Sequence, residues 1–294
     1  MPYWSLRFKA RSAYCPRETA PLLIPTHLIV LARNRKAWSL AAHARLSEGA
    51  RWLARTFLAR LAVARSARVI VVSSAMASAL PARLVPTTEV VHHGCDLGLV
   101  ERSRLERDDC VRTLRIVALG TVSAHKRFDA VIDAVAELRA QGQPAHLEIW
   151  GSIGDPSSAE WCRRVARERL GDDPLRGPAD GFRRQKILAD ADVLAMGSSV
   201  ESFGHPLVEG MRTSCLIWAP ASTLVDELCG PVAVTYPERS SEGAATALIA
   251  ALRTAPDLLH AGRERSLAFT WESTVDQTLR AVRDIPSRRS EHDP

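Results

Sequence analysis

The alternation of short apolar runs with amphipathic segments, from about residue 28 to residue 236, most constrains how this chain can fold. Apolar runs of strand length stand at residues 28–32, 68–72 and 89–92, and helical patterns follow the first two. A second series begins at residue 114, after a charged segment that lacks an apolar period. Such alternation is typical of a mostly parallel, doubly wound sheet. The sequence therefore predicts an α/β protein with two domains of this kind.

The individual elements follow from the same periodicity. In the first part, helices are expected at 38–64 and 76–84. In the second part, strands are expected at 114–119, 146–150, 174–177, 193–196, 216–219 and 232–235. Helices are expected there at 128–140, 159–170, 182–190, 206–212 and 223–228, with helical pattern again from 242 to about 284. Ligands of doubly wound sheets bind at the carboxyl ends of the strands, so site residues should come directly after strands.

The composition excludes several classes of protein. With 46% apolar residues among 294, the chain can form a core in each of two modest domains. Its longest apolar runs are far shorter than the ~20 residues that a membrane-spanning helix needs. The six cysteines are scattered, with no CxxC pair and no accompanying histidine cluster. This pattern predicts reduced thiols in a cytoplasmic protein rather than disulfides or structural zinc.

Charge is unevenly distributed along the chain. Residues 1–110 contain 17 Lys or Arg against 8 Asp or Glu, whereas the remainder contains 22 against 25. Four of the 39 basic residues are lysines, and so large an excess of arginine is typical of a genomic base bias. The basic composition therefore does not by itself predict nucleic-acid binding. The asymmetry between the halves remains, since a genomic bias would affect both.

The segment from Glu201 to Glu209 carries the most specific chemical signal. It follows the expected strand at 193–196, and Pro206 suits the first turn of a helix, where its missing N–H is no loss. Gly204 would let the chain approach a ligand closely, and amides at a helix N-terminus attract a diphosphate. Glu209 could then accept hydrogen bonds from both hydroxyls of a ribose, and Glu201 could contact a hexose beyond the phosphates. A helix-terminal carboxylate and a solvated loop glutamate are the ordinary alternative, but the complete string after a strand favours a site.

The string Glu201-Ser-Phe-Gly-His-Pro-Leu-Val-Glu209 resembles the E-x7-E signature of the group-1, glycogen-synthase-like class of retaining glycosyltransferases. Further similar segments lie at 71–76, 91–96, 117–129, 149–151, 187–193 and 269–272. The resemblance covers roughly residues 28–285 and is most specific over 114–229. It implies the GT-B fold, in which two Rossmann-like domains with doubly wound parallel sheets face a cleft.

The resemblance also implies which residues bind the donor, a nucleotide-diphosphate sugar. Lys126 stands where the family's lysine binds the donor phosphates, and Glu201 would orient the hexose, so these two are the expected catalytic residues. The expected donor-binding residues are Gly120, Thr121, Lys126, Phe203, Gly204, Pro206, Leu207 and Glu209. No metal or further cofactor is implied, since Lys126 and the helix amides would stabilise the leaving diphosphate and no DxD-type run follows a strand.

Two departures from the family's pattern bear on activity. The family often has an arginine five residues before the lysine, where this chain has Thr121, and Arg127 is expected to point elsewhere. The family's first domain normally opens with a strand and a Gly-Gly loop, but residues 1–27 contain no glycine. Residues 1–110 are therefore expected to form a partial acceptor-side domain, residues 111–270 the donor-binding domain, and residues 271–294 a C-terminal helix and tail.

The resemblance thus implies an enzyme that transfers a hexose from a nucleotide-diphosphate sugar to an acceptor hydroxyl with retention of configuration. A catalytically silent relative that binds the nucleotide sugar or serves as a partner subunit, and a sugar-nucleotide epimerase, stay open as alternatives. No nucleic acid is expected, and the acceptor is unknown. Leu46, Leu53, Phe57 and Leu61 fall on one face of an arginine-rich helix. This helix is either packed in the core or in peripheral contact with the inner membrane face, which would suit a lipid-linked or anionic acceptor.

Overall fold

The computed structural model describes residues 10, 12–18, 20, 27–35, 49–100, 105, 113–198 and 200–284. The chain divides into two compact units, one comprising Met1–Gly94 with Thr270–Pro294 and the other comprising Cys95–Phe269. Within the described residues, each unit is built on one parallel sheet, of four strands in the first and six in the second. The α/β class and the two parallel sheets expected from the sequence are confirmed.

The elements are numbered along the chain. The strands are β1 (Ser12–Cys15), β2 (His27–Ala32), β3 (Arg68–Val71), β4 (Thr88–Val90), β5 (Leu114–Leu119), β6 (Ala145–Trp150), β7 (Leu175–Gly177), β8 (Val193–Ala195), β9 (Leu216–Pro220) and β10 (Ala233–Tyr236). The helices are α1 (Gly49–Arg65), α2 (Ser74–Ala77), α3 (Phe128–Ala140), α4 (Pro156–Arg169), α5 (Gly181–Ala189), α6 (His205–Arg212), α7 (Thr223–Leu228), α8 (Ser241–Ala251), α9 (Ala255–Ser266) and α10 (Trp271–Arg283).

The first unit has the sheet order β1-β2-β3-β4. β2 and β3 are almost continuously buried, as parallel strands covered on both faces should be. β1 was not expected from the sequence, since its four residues Ser12–Cys15 include no aliphatic residue larger than alanine. The C-terminal helix α10 contacts β3 and belongs to this unit.

Several boundaries differ from the sequence expectation. The helix expected at 38–64 is described as Gly49–Arg65, and residues 36–48 lie outside the described residues. The helix expected at 76–84 is instead a short α-helix, α2, followed by a 3-10 helix at Ala82–Thr87. Pro81 and Pro86 explain this, because neither can donate a helical backbone hydrogen bond. None of the helices in the described ranges combines the length and apolar character needed to cross a bilayer.

The second unit has the sheet order β10-β9-β8-β5-β6-β7, with every pairing parallel. The chain runs outward from β5 through β6 and β7, then returns to lay β8 on the other side of β5. The point where β5 and β8 stand side by side is the switch point of a doubly wound sheet. Loops leaving both strands therefore emerge together, and the core around Ile116, Ile149 and Trp218 makes their starting points rigid.

Side-chain caps determine where several helices of the second unit begin. Asp155 accepts a hydrogen bond from the Ser157 amide at the start of α4, and Asp180 accepts one from the Arg183 amide at the start of α5. Ser222 and Ser240 cap α7 and α8 in the same way. Such caps satisfy backbone donors that the helix itself leaves unpaired. α6 begins at the candidate site without a capping side chain, as do α3 and α9 elsewhere in this unit.

Candidate functional site

The expected site residues lie on the loops that follow β5 and β8. Lys126 ends a 3-10 turn, Ala124–Lys126, after β5, and Glu201 lies in the segment between β8 and α6. These residues are 75 positions apart in the sequence, yet the side-by-side pairing of β5 and β8 brings their loops to the same edge of the sheet.

Three glycines allow these loops to approach closely. Gly120 has a φ of +142°, and a Cβ there would lie 3.0 Å from Lys126 Cε. A Cβ on Gly151, which follows β6, would lie 1.8 Å from the Gly120 carbonyl oxygen. A Cβ on Gly197, which follows β8, would lie 2.4 Å from the Arg127 carbonyl oxygen. Gly120 therefore contributes to the site by making room for the Lys126 side chain.

Lys126 and Glu201 form an ion pair in which the lysine Nζ donates a hydrogen bond to Glu201 Oε1. The two side chains are 14% and 16% exposed, so the pair is largely shielded from water. Charge-assisted hydrogen bonds in such surroundings are among the stronger polar contacts in proteins. The structure thus places the two expected catalytic residues in direct contact.

The turn into α6 is held by Phe203 and Gly204. Phe203 is buried, and its ring packs edge-on against Phe269 with centroids 6.1 Å apart. Gly204 occupies the N-cap with a left-handed φ of +71°, a conformation that favours glycine. Pro206 has no N–H, and the Leu207 N–H donates to the Gly204 carbonyl at 2.9 Å. Neither of these two positions therefore offers an amide to a ligand in this conformation.

Glu209, one turn inside α6, is paired with Arg184 of α5. Arg184 Nη2 lies 2.5 Å from Glu209 Oε2, and the glutamate side chain is 12% exposed. Burial raises the pKa of the Glu209 carboxyl, the positive charge of Arg184 acts in the lowering direction, and the negative charge of Asp96 adds to the rise. Arg184 thus partly offsets the cost of burying this carboxylate.

His205 relates the two ion pairs electrostatically. It opens α6, and its ring meets that of Phe203 with centroids 5.0 Å apart. Burial lowers the pKa of His205, the charge of Arg184 lowers it further, and the charges of Asp96 and Glu201 raise it. His205 therefore lies close enough to Arg184 and to Glu201 for both charges to act on its pKa.

Two neighbouring residues take other roles. Arg127, in a left-handed conformation with φ of +49°, places Nε 3.4 Å from Asp129 Oδ1 and Nη1 4.0 Å from Glu238 Oε1. It therefore engages these carboxylates rather than Glu201, and points elsewhere, as the sequence indicated. Thr121, an expected donor-binding residue, is exposed, and its hydroxyl lies 3.5 Å from Ser152 Oγ.

Sequence reasoning missed Arg184. Helix α5 was expected, but a helix with Arg183, Arg184 and Lys186 gives no reason to single out one cation. His205 could have been found, since it is a titratable residue inside the signature string.

The described part of the chain shows no cluster of three or more His, Cys, Asp or Glu side chains that could hold a metal ion. Its five cysteines are free thiols, and Cys110 lies outside the described residues. Burial raises the pKa of Cys162 to about 11 and the pKa values of Cys215 and Cys229 to about 12. These three buried thiols therefore stay protonated at neutral pH.

Comparison with known proteins identifies the region that contains the site. Residues 112–254 match the protein-family model described as glycosyl transferases group 1. No curated protein sequence matches the chain.

Several solved structures share the fold. Sucrose-phosphate synthase from Thermosynechococcus elongatus superposes with a TM-score of 0.73 at 16% identity, over 95% of this chain and 74% of that one. Anabaena Alr3699/HepE, solved with UDP and glucose, has a TM-score of 0.66 at 17% identity, over 86% and 71%. S. aureus TarM, solved with UDP, has 0.66 at 13%, over 88% of this chain and 51% of its own. This chain thus spans about half the length of TarM. At such identities the likeness establishes the fold alone.

The family match and the fold agree with the geometry of the site. The matched residues include Lys126 and Glu201 at the switch point and Arg184 and Glu209 beside it. Residues 112–254 therefore match the group 1 glycosyl transferases, and the two parallel sheets of the chain are those of the GT-B fold.

Proposed function

We propose that this chain transfers a hexose from a nucleotide-diphosphate sugar to an acceptor hydroxyl, with retention of configuration at the anomeric carbon. The observation that carries the proposal is the shielded Lys126–Glu201 ion pair at the switch point of the six-stranded sheet. In this proposal, the Lys126 ammonium supplies positive charge to the departing diphosphate, and the Glu201 carboxylate supplies negative charge to the positive centre that develops on the sugar. Glu209, one turn along α6, is the candidate acceptor for the ribose hydroxyls.

In the proposed reaction, the bond between the anomeric carbon and the diphosphate oxygen breaks, and its electron pair leaves with the diphosphate. Lys126 stabilises this developing charge. The acceptor oxygen forms the new bond to the anomeric carbon, and its proton passes to the departing diphosphate or to solvent. Glu201 orients the hexose and stabilises the oxocarbenium-like centre. Lys126 and Glu201 pair with each other in the ligand-free chain, so binding of the donor would exchange this contact for contacts to the diphosphate and the hexose.

The first donor to test is UDP-glucose, because Anabaena Alr3699/HepE was solved with UDP and glucose and TarM with UDP. ADP-glucose and GDP-mannose complete a panel that varies the base. Release of nucleoside diphosphate, with and without simple alkyl glycosides as acceptors, measures hydrolysis and transfer. Lys126→Ala and Glu201→Gln should abolish most turnover, whereas Arg127→Ala, whose guanidinium engages other carboxylates, is the matched control.

Each alternative function has its own outcome in this assay. Nucleotide affinity without turnover on any donor would favour a catalytically silent donor-binding subunit. Conversion of one nucleotide sugar into another without an acceptor would favour an epimerase. Where a product forms, proton NMR of its anomeric centre decides the stereochemistry, and an inverted product contradicts the proposal.

For the acceptor, we propose an anionic or lipid-linked molecule reached through α1. The buried face of this helix consists of Thr56, Ala59, Ala62 and Val63. Phe57 is 66% exposed and Leu58 is also exposed, with Arg60 and Arg65 exposed on the same helix. Leu46 and Arg45 lie outside the described residues, and the side chains of Arg51, Leu53 and Arg55 are not described. An exposed aromatic residue among arginines suits an anionic membrane surface.

Vesicle co-sedimentation tests this proposal. Binding to phosphatidylglycerol vesicles, but not to phosphatidylcholine vesicles, is expected at low salt, and high salt should release the protein. Phe57→Ser should weaken binding, with Ala64→Ser, an exposed substitution on the same helix, as the control. Absent binding, or binding that ignores lipid charge, would leave a soluble acceptor as the better candidate.

A further inference from the structure

Arg184 is placed to act on the candidate ribose-binding carboxylate. It stands in the first turn of α5, and its Nη2 lies 2.5 Å from Glu209 Oε2 on α6. Within the described residues, Arg184 Nε is buried and has no hydrogen-bond partner. A buried guanidinium N–H without a partner costs free energy unless a ligand supplies an acceptor. The arginine therefore does more than join two helices, since one of its donors has no partner within the described part of the chain.

The neighbouring arginine has a different environment. Arg183 lies over the Trp150 ring, with its Cζ 4.6 Å from the ring centroid, and its side chain is exposed. Two adjacent residues of one helix thus carry the same charge, but only Arg184 of the two contacts Glu209. This difference supplies a matched control for any substitution at Arg184.

The titratable and charged groups around Glu209 lie on three elements. Arg184 faces it from α5 and Asp96 from the segment that opens the second unit, and both charges act on it, while His205 stands four residues earlier on its own helix. Burial of Glu209 favours the protonated carboxyl, as does the negative charge of Asp96, whereas Arg184 favours the carboxylate. A protonated Glu209 could accept fewer hydrogen bonds from a diol than the ionised group does. The charge of Arg184 therefore bears directly on how this residue would hold a ribose.

We propose that Arg184 is a positioning residue of the donor site, which holds Glu209 ionised and aimed at the ribose hydroxyls and offers its buried Nε–H to the nucleoside. This inference rests on the proposed function, since it assigns a role within the same donor site. It predicts that the nucleoside part of the donor, rather than the diphosphate, depends on Arg184.

The first experiment measures the titration of Glu209 in the ligand-free protein. Carbon-13 NMR of the glutamate δ carbons, assigned with Glu209→Gln, follows this carboxyl against pH. Arg184→Ala should shift the Glu209 titration to higher pH, Arg184→Lys should restore most of the difference, and Arg183→Ala should leave the titration unchanged. An identical Glu209 titration in wild type and Arg184→Ala would overturn the inference.

The second experiment separates nucleoside from diphosphate by calorimetry, using whichever of UDP, ADP and GDP the wild type binds most tightly, and inorganic pyrophosphate beside it. Arg184→Ala should lose about tenfold in nucleotide affinity. The loss should be greater at pH 6 than at pH 8, where the carboxyl is ionised without help. Pyrophosphate affinity, which depends on Lys126, should be unchanged. A merely structural pair would instead lower both affinities alike, with no change in pH profile.

Failure of this inference is distinguishable from failure of the proposed function. If wild type binds a nucleoside diphosphate and Arg184→Ala binds it equally tightly with the same pH profile, the inference alone is overturned. If wild type binds none of the three nucleotides, the proposed function is overturned, and the Arg184–Glu209 pair is then a contact that stabilises the fold.

Discussion

The two ends of the Glu201–Glu209 segment are built in different ways. Glu201 pairs with Lys126 where backbone segments lie very close together. Gly120, Gly151 and Gly197 allow this, because they let three loops that follow strands come into contact. Glu209 pairs with Arg184 across two helices, α6 and α5, and neither side chain is a close neighbour of a glycine in the described ranges. The first pair is therefore sensitive to added volume in the loops, and the second to the charge of its partner.

This difference separates the two parts of the proposed reaction. A pair held by converging loops at the switch point has a well-defined position, which suits the centre where bonds change. A buried carboxylate balanced by one arginine can adjust its ionisation, which suits recognition of a neutral diol. Substitutions of Glu201 should therefore mainly affect the rate of transfer, and substitutions of Glu209 should mainly affect the affinity for the nucleotide.

Replacing Glu201 should have the largest effect, and it tests whether this residue controls the rate of transfer. Glu201→Gln keeps the shape but removes the charge, so we expect transfer to slow by roughly 10²–10³-fold, as for loss of a transition-state contact. Nucleotide affinity should not fall, because Lys126 is released from its intramolecular partner. Rate assays and calorimetry on one preparation measure the transfer rate and the nucleotide affinity. If Glu201→Gln lost as much nucleotide affinity as Glu209→Ala, the proposed difference between Glu201 and Glu209 would be wrong.

Gly151→Ala tests whether the first pair depends on close backbone approach. The added Cβ would lie 1.8 Å from the Gly120 carbonyl oxygen, so the loops must separate. We expect unfolding in urea to show a loss of about 3 kcal/mol. Gly181→Ala is the control, since no atom lies within 4 Å of its Cβ position. Equal stability of the two variants would show that the loops can separate at little cost in free energy, and that the ion pair does not depend on their close approach.

Lys126→Ala compared with Arg127→Ala sharpens the assignment within the first pair. A charge-assisted hydrogen bond contributes ~1.5–3 kcal/mol, so loss of Lys126 should weaken nucleoside diphosphate binding roughly tenfold or more. Arg127 is engaged by Asp129 and Glu238, and its loss should cost much less. Calorimetry with the same nucleotide decides, and a costlier arginine variant would transfer the phosphate role to Arg127.

The pH dependence of stability should show the smallest effect and tests the charge balance at Glu209. The folded carboxyl has a raised pKa, so protonation favours the folded state. This contribution is present below the usual carboxyl pKa of 4.5 and is lost as the pH rises through the raised value. Glu209→Gln removes the titration, so its free energy of unfolding should decline less across that window than in wild type. Glu160→Gln, at an exposed position of α4, should behave as wild type does.

Much of this arrangement followed from local sequence. Apolar runs and helical periods have their physical cause in neighbouring residues, so the strands of the second unit and the helices between them were predicted close to their observed bounds. Gly204 and Pro206 likewise set the start of α6 through their own backbone preferences, and Glu209 then falls one turn inside. Lys126 and Glu201 were found as candidates through a resemblance carried by contiguous strings.

Tertiary structure alone decided which of these residues meet. Lys126 contacts Glu201 because β8 returns to the side of β5, and strand order depends on how whole βα units pack rather than on the pattern of any one of them. Arg184 and not Arg183 pairs with Glu209 because of the rotation of α5 about its axis against α6, which no local period specifies. The strand β1 is stabilised by its parallel pairing with β2, since its own four residues include no aliphatic residue larger than alanine. Local physics determined the elements and their ends, and packing between distant elements determined the ion pairs of the site.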